Sequence, residues 1–143
     1  MNSRIFQVRD AMTYDVVTLG HNDKLLAADD LMRLGRIRHL PVLDDDGALV
    51  GIVTQRDLFH SGLVKALGFG SHARTGMLEL LAIKEAMKTE VVTTTPDTPL
   101  AAAARVMNDQ KIGCLVVLEA GKIAGILTES DFVKLYIDEA SSA

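Results

Sequence analysis

The sequence predicts an α/β (α+β) fold: two βαββα repeats packed sheet to sheet about a pseudo-twofold axis. Two observations carry that expectation. The chain repeats itself in register over about 50 positions. Within each copy, short apolar runs bounded by turn residues alternate with capped stretches of helical periodicity.

The repeat opens with Val8-Arg9-Asp10-Ala11-Met12 against Ile83-Lys84-Glu85-Ala86-Met87, an offset of 75. The same offset aligns Val16-Val17-Thr18 with Val91-Val92-Thr93, and Leu25, Ala27, Ala28 and Met32 with Leu100, Ala102, Ala103 and Met107. Ile37, Leu40, Val42 and Leu43 then meet Ile112, Leu115, Val117 and Leu118. One residue is lost in the following turn, and at an offset of 74 Gly51, Ile52, Thr54 and Asp57 meet Gly125, Ile126, Thr128 and Asp131. Chance does not hold such a register, so the unit is duplicated.

Each copy begins with a short leading helix ending at Met12 or Met87. In the first, Asp23 is expected to cap a helix that ends near Gly35, a natural left-handed C-terminal residue. In the second, Thr98 is the expected cap, with Pro99 as first helical residue and an Ala-rich helix to about Gln110. Strands are expected at 40–43 and 49–53, joined by the Asp-rich turn 44–47, and at 115–118 and 123–127, joined around Ala120-Gly121. A last helix starts near Gln55 or Glu129. Residues 60–67 continue that helix in the first copy, 68–71 break it, and 75–82 form a short connecting helix. The expected domains are repeat 1 at 7–66, a connecting segment at 67–81 and repeat 2 at 82–137, with terminal segments 1–6 and 138–143. A repeat of this size buries little surface alone, so the pair is the folding unit.

Composition narrows the function classes. With 48% hydrophobic residues, no Trp and only four Phe and two Tyr, the core must be aliphatic. A net charge of −4 disfavours a nucleic-acid footprint, which needs clustered Lys and Arg, but leaves room for one small anion. A single cysteine, Cys114, excludes an intrachain disulfide. No apolar run approaches a membrane span, and the N-terminus has no signal-like apolar core, so a cytoplasmic location is expected.

The strongest chemical signal is the duplicated Gly-aliphatic-aliphatic-Thr-x-x-Asp, residues 51–57 and 125–131. It sets a hydroxyl and a carboxylate at a strand-to-helix junction, where free N–H groups favour an anion. The carboxylate can accept two hydrogen bonds from a vicinal diol such as a ribose. Thr-x-x-Asp is also a variant capping box, although capping boxes prefer Glu or Gln at the fourth position. The motif is read as doing both jobs.

Taken in order, Val-x-x-Ala-Met, Val-Val-Thr, a helix, Arg-His-Leu-Pro-Val and Gly-aliphatic-aliphatic-Thr-x-x-Asp resemble the cystathionine-β-synthase (CBS) domain family over about residues 7–66 and 82–137. The resemblance implies a CBS pair, or Bateman module, with two clefts that bind AMP, ADP or ATP, or S-adenosylmethionine in some members. It also implies a flat homodimer. One cleft would combine Thr128 and Asp131 with Thr18, Ile37, Arg38, His39 and Pro41. The other would combine Thr54, Arg56 and Asp57 with Thr93, Ile112, Gly113 and Cys114. The chain departs from the family where Val116 replaces the Pro found at Pro41, and where Gly113-Cys114 stand in place of Arg38-His39. The Asp131 cleft is therefore expected to bind phosphate more tightly, with Arg56 pulling the other way.

Other candidates fit bland roles. His21, His39, His60, His72 and Cys114 lack metal-ligand spacing, so no metal is expected. His39 also reads as a packed strand-edge histidine and Cys114 as a small buried hydrophobe. Gly68-x-Gly70 lacks a third glycine and does not follow a strand. With no nucleophile–base set in usable context, an enzyme and a cofactor are not expected. The function implied is a stand-alone regulatory module that senses an adenosine-containing small molecule, forms a homodimer and signals to an effector protein. The alternatives are a ligand-free interaction scaffold, in which Thr-x-x-Asp only caps helices, and an S-adenosylmethionine-binding module.

Overall fold

The computed structural model describes residues 6–35, 37–58 and 71–141, with the side chains of 71–74 and 77 outside the description. In chain order its elements are α1 (Val8–Ala11), β1 (Leu19–Gly20), α2 (Leu25–Gly35), β2 (His39–Leu43), β3 (Leu49–Thr54), α3 (Ser71–Leu80) and a 3-10 turn (Ile83–Glu85). The second half repeats the order with β4 (Thr93–Thr94), α4 (Leu100–Gln110), β5 (Cys114–Glu119), β6 (Lys122–Thr128) and α5 (Glu129–Ser141). Helical residues also follow β3 at 55–58. The expected helix at 60–67 and its break at Gly68-Phe69-Gly70 lie outside the described residues, and the connecting helix already begins at Ser71.

Each repeat carries one three-stranded sheet, ordered β1-β2-β3 and β4-β5-β6. The short outer strand runs parallel to the middle one, and the middle and last strands form an antiparallel hairpin. The hairpin turns are built differently. In the first, Asp44 Oδ1 accepts the N–H groups of Asp46 and Ala48, both at 2.9 Å, and Gly47 takes a left-handed φ of 84°. This is the self-bonding that suits Asp and Gly to turns. In the second, Ala120 and Gly121 both take positive φ, 52° and 78°, as the shortest hairpin loops demand.

Three local expectations are corrected. Asp23 turns back to accept the Gly20 N–H at 2.8 Å instead of capping α2. Gly35 remains helical, and the left-handed residue after α4 is Lys111, at φ 55°. Pro99 stands just outside α4 as its cap residue, with φ −57° and ψ 132°, and no side chain caps the helix. The physical reason lies next door: Pro99 bridges to Gln7, and the Leu100 N–H donates to the Phe6 carbonyl at 2.8 Å. This pairing holds the chain extended up to Leu100.

The chain forms two compact units, residues 17–91 and residues 1–16 with 92–143. Each unit therefore pairs one repeat's sheet with the leading segment of the other repeat. In the first, Ile52 and Lys88 exchange both backbone hydrogen bonds at 2.9 Å; in the second, Thr13 and Ile126 do the same at 2.9 Å. The glycine that opens each Gly-aliphatic-aliphatic-Thr motif makes this approach possible. A Cβ on Gly51 would stand 2.5 Å from the Met87 sulfur and 2.9 Å from the Lys88 carbonyl oxygen. One on Gly125 would stand 2.8 Å from the Thr13 carbonyl oxygen. The two cores repeat position for position: Leu25, Ala28, Met32, Leu40, Val42 and Ile83 in one, Leu100, Ala103, Met107, Leu115, Val117 and Val8 in the other. The leading residues Ile83 and Val8 are fully buried, so each leader is part of the core that it joins.

Candidate functional site

The last strand of each repeat delivers its Thr to the start of a helix, and the Asp three residues on faces back toward it. In the first repeat the N–H and hydroxyl of Thr54 both donate to Asp57 Oδ2 at 2.9 Å, and the Asp57 N–H donates to Thr54 Oγ1 at 3.2 Å. In the second, the Thr128 N–H donates to Asp131 Oδ2 at 2.8 Å and the Thr128 hydroxyl lies 3.3 Å from the same oxygen. Asp, shorter than the usual Glu, closes both halves of this box at the first corner and accepts the Thr128 N–H at the second, so the capping half of the reading describes the geometry seen.

In both corners the Thr N–H donates to Oδ2 and Oδ1 is met by the leader; the Thr128 hydroxyl also lies 2.9 Å from the Ser130 hydroxyl. The Thr13 hydroxyl donates to Asp131 Oδ1 at 2.9 Å. The Lys88 ammonium stands 3.7 Å from Asp57 Oδ1, and its side chain is 59% exposed. Asp131 is buried, at 4% exposure, the one charged side chain so buried among the described residues. Asp57 is half-buried. Sequence reasoning missed Thr13 and Lys88, although the repeat alignment holds the signal: they occupy the next column after Met12 and Met87.

The remaining candidates take their places around the middle strands. Ile37 and Arg38 precede β2, His39 opens it, and the buried Pro41 lies within it. Ile112 and Gly113 likewise precede β5, which Cys114 opens. Strand register places His39 opposite Thr54 and Cys114 opposite Thr128. The backbone ties the same places together: the Gln55 N–H donates to the Arg38 carbonyl at 2.9 Å, and the Glu129 N–H to the Gly113 carbonyl at 3.3 Å. Inside each unit, then, the middle-strand entrance adjoins the Thr of its own repeat. Thr18 lies one residue before β1, and Thr93 within β4 is exposed. Arg38 and Arg56 are exposed. Cys114 is half-buried, and desolvation pushes its thiol up from 9.0 to about 12, so it is protonated at neutral pH. His60 lies outside the described residues, as does the side chain of His72. A cavity of about 550 Å³ opens between α4 and α5, with Ile112, Met107 and Phe132 in its wall. Among the described residues no helix is long and apolar enough to cross a membrane.

A family model for the CBS domain matches residues 8–63 and 83–138, covering both copies of the repeat and both Thr-x-x-Asp corners. The chain belongs to the CBS domain family. A CBS domain-containing protein of Dictyostelium discoideum is 32% identical over 91% of this chain and 90% of its own length. The chain spans about a fifth to a third of the length of seven other curated relatives. One is the inosine-5'-monophosphate dehydrogenase of Mycobacterium tuberculosis, 34% identical over 86% of this CBS pair and 21% of that enzyme. Among solved structures, a protein assigned to acetoin utilization (AcuB) from Vibrio cholerae is 35% identical, with a TM-score of 0.78 over 96% of this chain and 95% of that one. The CBS domain pair of protein MJ0100, solved with 5'-methylthioadenosine and S-adenosyl-L-methionine, is 27% identical, with a TM-score of 0.75 over 95% of this chain and 99% of that one. CBSX2, solved with AMP, is 25% identical, with a TM-score of 0.76 over 93% of this chain and 97% of that one.

Proposed function

We propose that this CBS pair is a regulatory module that binds adenine nucleotides (AMP, ADP or ATP) and signals occupancy to an effector protein, without turning the ligand over. The observation that carries the reading is the buried Asp131 carboxylate, held between hydroxyl and amide donors from Thr13 and Thr128. A buried charge is costly unless it is paired or used. A carboxylate oxygen has two lone pairs, and Oδ1 of Asp131 and of Asp57 has one contact each in the geometry above, which leaves it able to accept from a ribose diol. The related structures with AMP, 5'-methylthioadenosine and S-adenosyl-L-methionine support an adenosine ligand. In this proposal Thr54, Arg56, Asp57, Thr128 and Asp131 hold the ribose, and the phosphate where one is bound. Thr18, Ile37, Arg38, His39, Pro41, Thr93, Ile112, Gly113 and Cys114 complete the binding surfaces. A cytoplasmic homodimer belongs to the same proposal.

The test is calorimetry with AMP, ADP and ATP, followed by recovery of the ligand. Saturable heat with unchanged nucleotide supports the reading; recovered product would make the protein an enzyme. A second reading is a ligand-free scaffold, favoured by the two Thr-x-x-Asp corners, in which each Asp accepts the N–H of its own Thr. The absence of heat and of any melting shift with all three nucleotides, with adenosine and with S-adenosylmethionine would decide for the scaffold.

A further inference from the structure

The geometry points to Lys88 as the residue that gives the first repeat's Asp57 corner a preference for phosphorylated ligands, and leaves the second repeat's Asp131 corner to adenosine compounds without a phosphate. The inference rests on the proposed binding at the two Asp residues and assigns a ligand class to each. It starts from the column directly after Met12 and Met87, where the two leaders differ in charge and reach. At that column Lys88 brings a cation to 3.7 Å from Asp57 Oδ1, while Thr13 brings a neutral hydroxyl to 2.9 Å from Asp131 Oδ1.

The two contacts differ in what they leave free. Thr13 has a short side chain committed to a buried carboxylate, so it adds no charge and has no reach. Lys88 ends a flexible four-carbon stem with three donors, is 59% exposed, and stands beyond hydrogen-bond length from Asp57. When a ribose diol occupies the carboxylate, the ammonium can swing to a phosphate on the same ligand. The neighbouring positions lean the same way. Gln55 and Arg56 follow Thr54, whereas Glu129 and Ser130 follow Thr128, and all four are exposed. The first motif thus carries Arg56, with Lys88 against Asp57, where the matching positions of the second are the uncharged Ser130 and Thr13. This reverses the order expected from Arg38 and His39: a lysine that sequence reasoning overlooked joins Arg56, while the matching positions at the other corner carry no charge.

The experiment is calorimetry on the full chain with AMP, adenosine and inorganic pyrophosphate. It compares the wild type with Lys88→Thr, which installs the residue of the other repeat, and with Asp57→Asn and Asp131→Asn; melting temperatures confirm that each variant is folded. The expected result is that Lys88→Thr weakens AMP about ten- to a hundredfold, the effect of one hydrogen bond to a charged group, and changes adenosine little. Asp57→Asn is expected to remove the AMP-preferring event, and Asp131→Asn to spare it. An unchanged AMP-to-adenosine ratio in Lys88→Thr overturns the inference, as does loss of the AMP event in Asp131→Asn alone. If the wild type binds neither AMP nor adenosine, the proposed function fails. In that case pyrophosphate binding that disappears in Lys88→Thr sustains the anion corner, and no pyrophosphate binding overturns it too.

Discussion

The Thr13 hydroxyl meets the Asp131 carboxylate at 2.9 Å across 118 residues of sequence. That bond lies at the end of a two-way backbone bridge between Thr13 and Ile126, so the leader that opens the chain is built into the sheet that nearly closes it. Lys88 and Asp57 are the matching pair in the other unit, at 3.7 Å and with a mostly exposed partner. The same topology therefore yields a part-buried neutral-to-anion contact in one unit and, in the other, a longer ion pair whose ammonium is exposed.

Thr13→Val is expected to lower stability by about 1.5–3 kcal/mol, the range for a hydrogen bond to a charged group, because it strips a donor from a buried carboxylate. Lys88→Ala is expected to cost about 0–1 kcal/mol, since surface ion pairs are screened and entropically costly. Urea titrations of both variants check the contrast. Equal losses would show that the burial of Asp131 adds nothing to its bond with Thr13.

Glycine substitutions separate close approach from backbone freedom. Gly125→Ala and Gly51→Ala force a Cβ into the leader's carbonyl oxygen and methionine sulfur, and each is expected to cost about 1–3 kcal/mol, as overpacking does. Gly76→Ala lies in α3 with open space around it and is expected to add about 0.5–1 kcal/mol through helix propensity. Melting temperatures of the three variants should move in opposite directions.

The elements that could be read from the sequence are those written twice. Leu40, Val42, Leu115 and Val117 alternate inward on strands, and Met32 and Met107 fall on the buried faces of matching helices. Periodicity and turn residues report local structure. They do not report which sheet a leader will join, so the exchange of Val8 and Ile83 between cores stayed hidden, and with it the meeting of Thr13 with Asp131. The caps misread at Asp23 and Thr98 share one cause: a tertiary bridge, in which the Leu25 N–H donates to the Leu81 carbonyl and the Leu100 N–H to the Phe6 carbonyl, decides where those helices begin.

An apolar stripe on α5 bears on the proposed homodimer. On the helices that follow the two Thr-x-x-Asp strands, Leu58 is buried, and Phe132 and Leu135 pack against the core. Tyr136 remains exposed, joined by Val133 and Ile137 at helical spacing. If this face carries the dimer contact, Tyr136→Glu with Ile137→Lys will shift the mass from twice 15.4 kDa to 15.4 kDa in light scattering, with the melting profile of each repeat retained. A wild type that is already monomeric at micromolar concentration removes the dimer from the proposal.

Cys114 supplies a pH test. Burial raises its thiol from 9.0 to about 12 in the folded chain, while the unfolded chain ionises near 9.0. A folded group that holds its proton more tightly adds stability below the unfolded value and loses that contribution as pH rises through the folded one. Its share of the folding free energy is therefore complete at pH 8 and declines between about pH 9 and pH 12. The thiolate is the reactive form, so alkylation of the native protein at pH 8 should be far slower than that of the urea-unfolded chain. Cys114→Ser should flatten the alkaline limb of the stability profile relative to the wild type. Rapid native alkylation at pH 8, at the rate of a free thiol, would show that Cys114 is solvated where it opens β5.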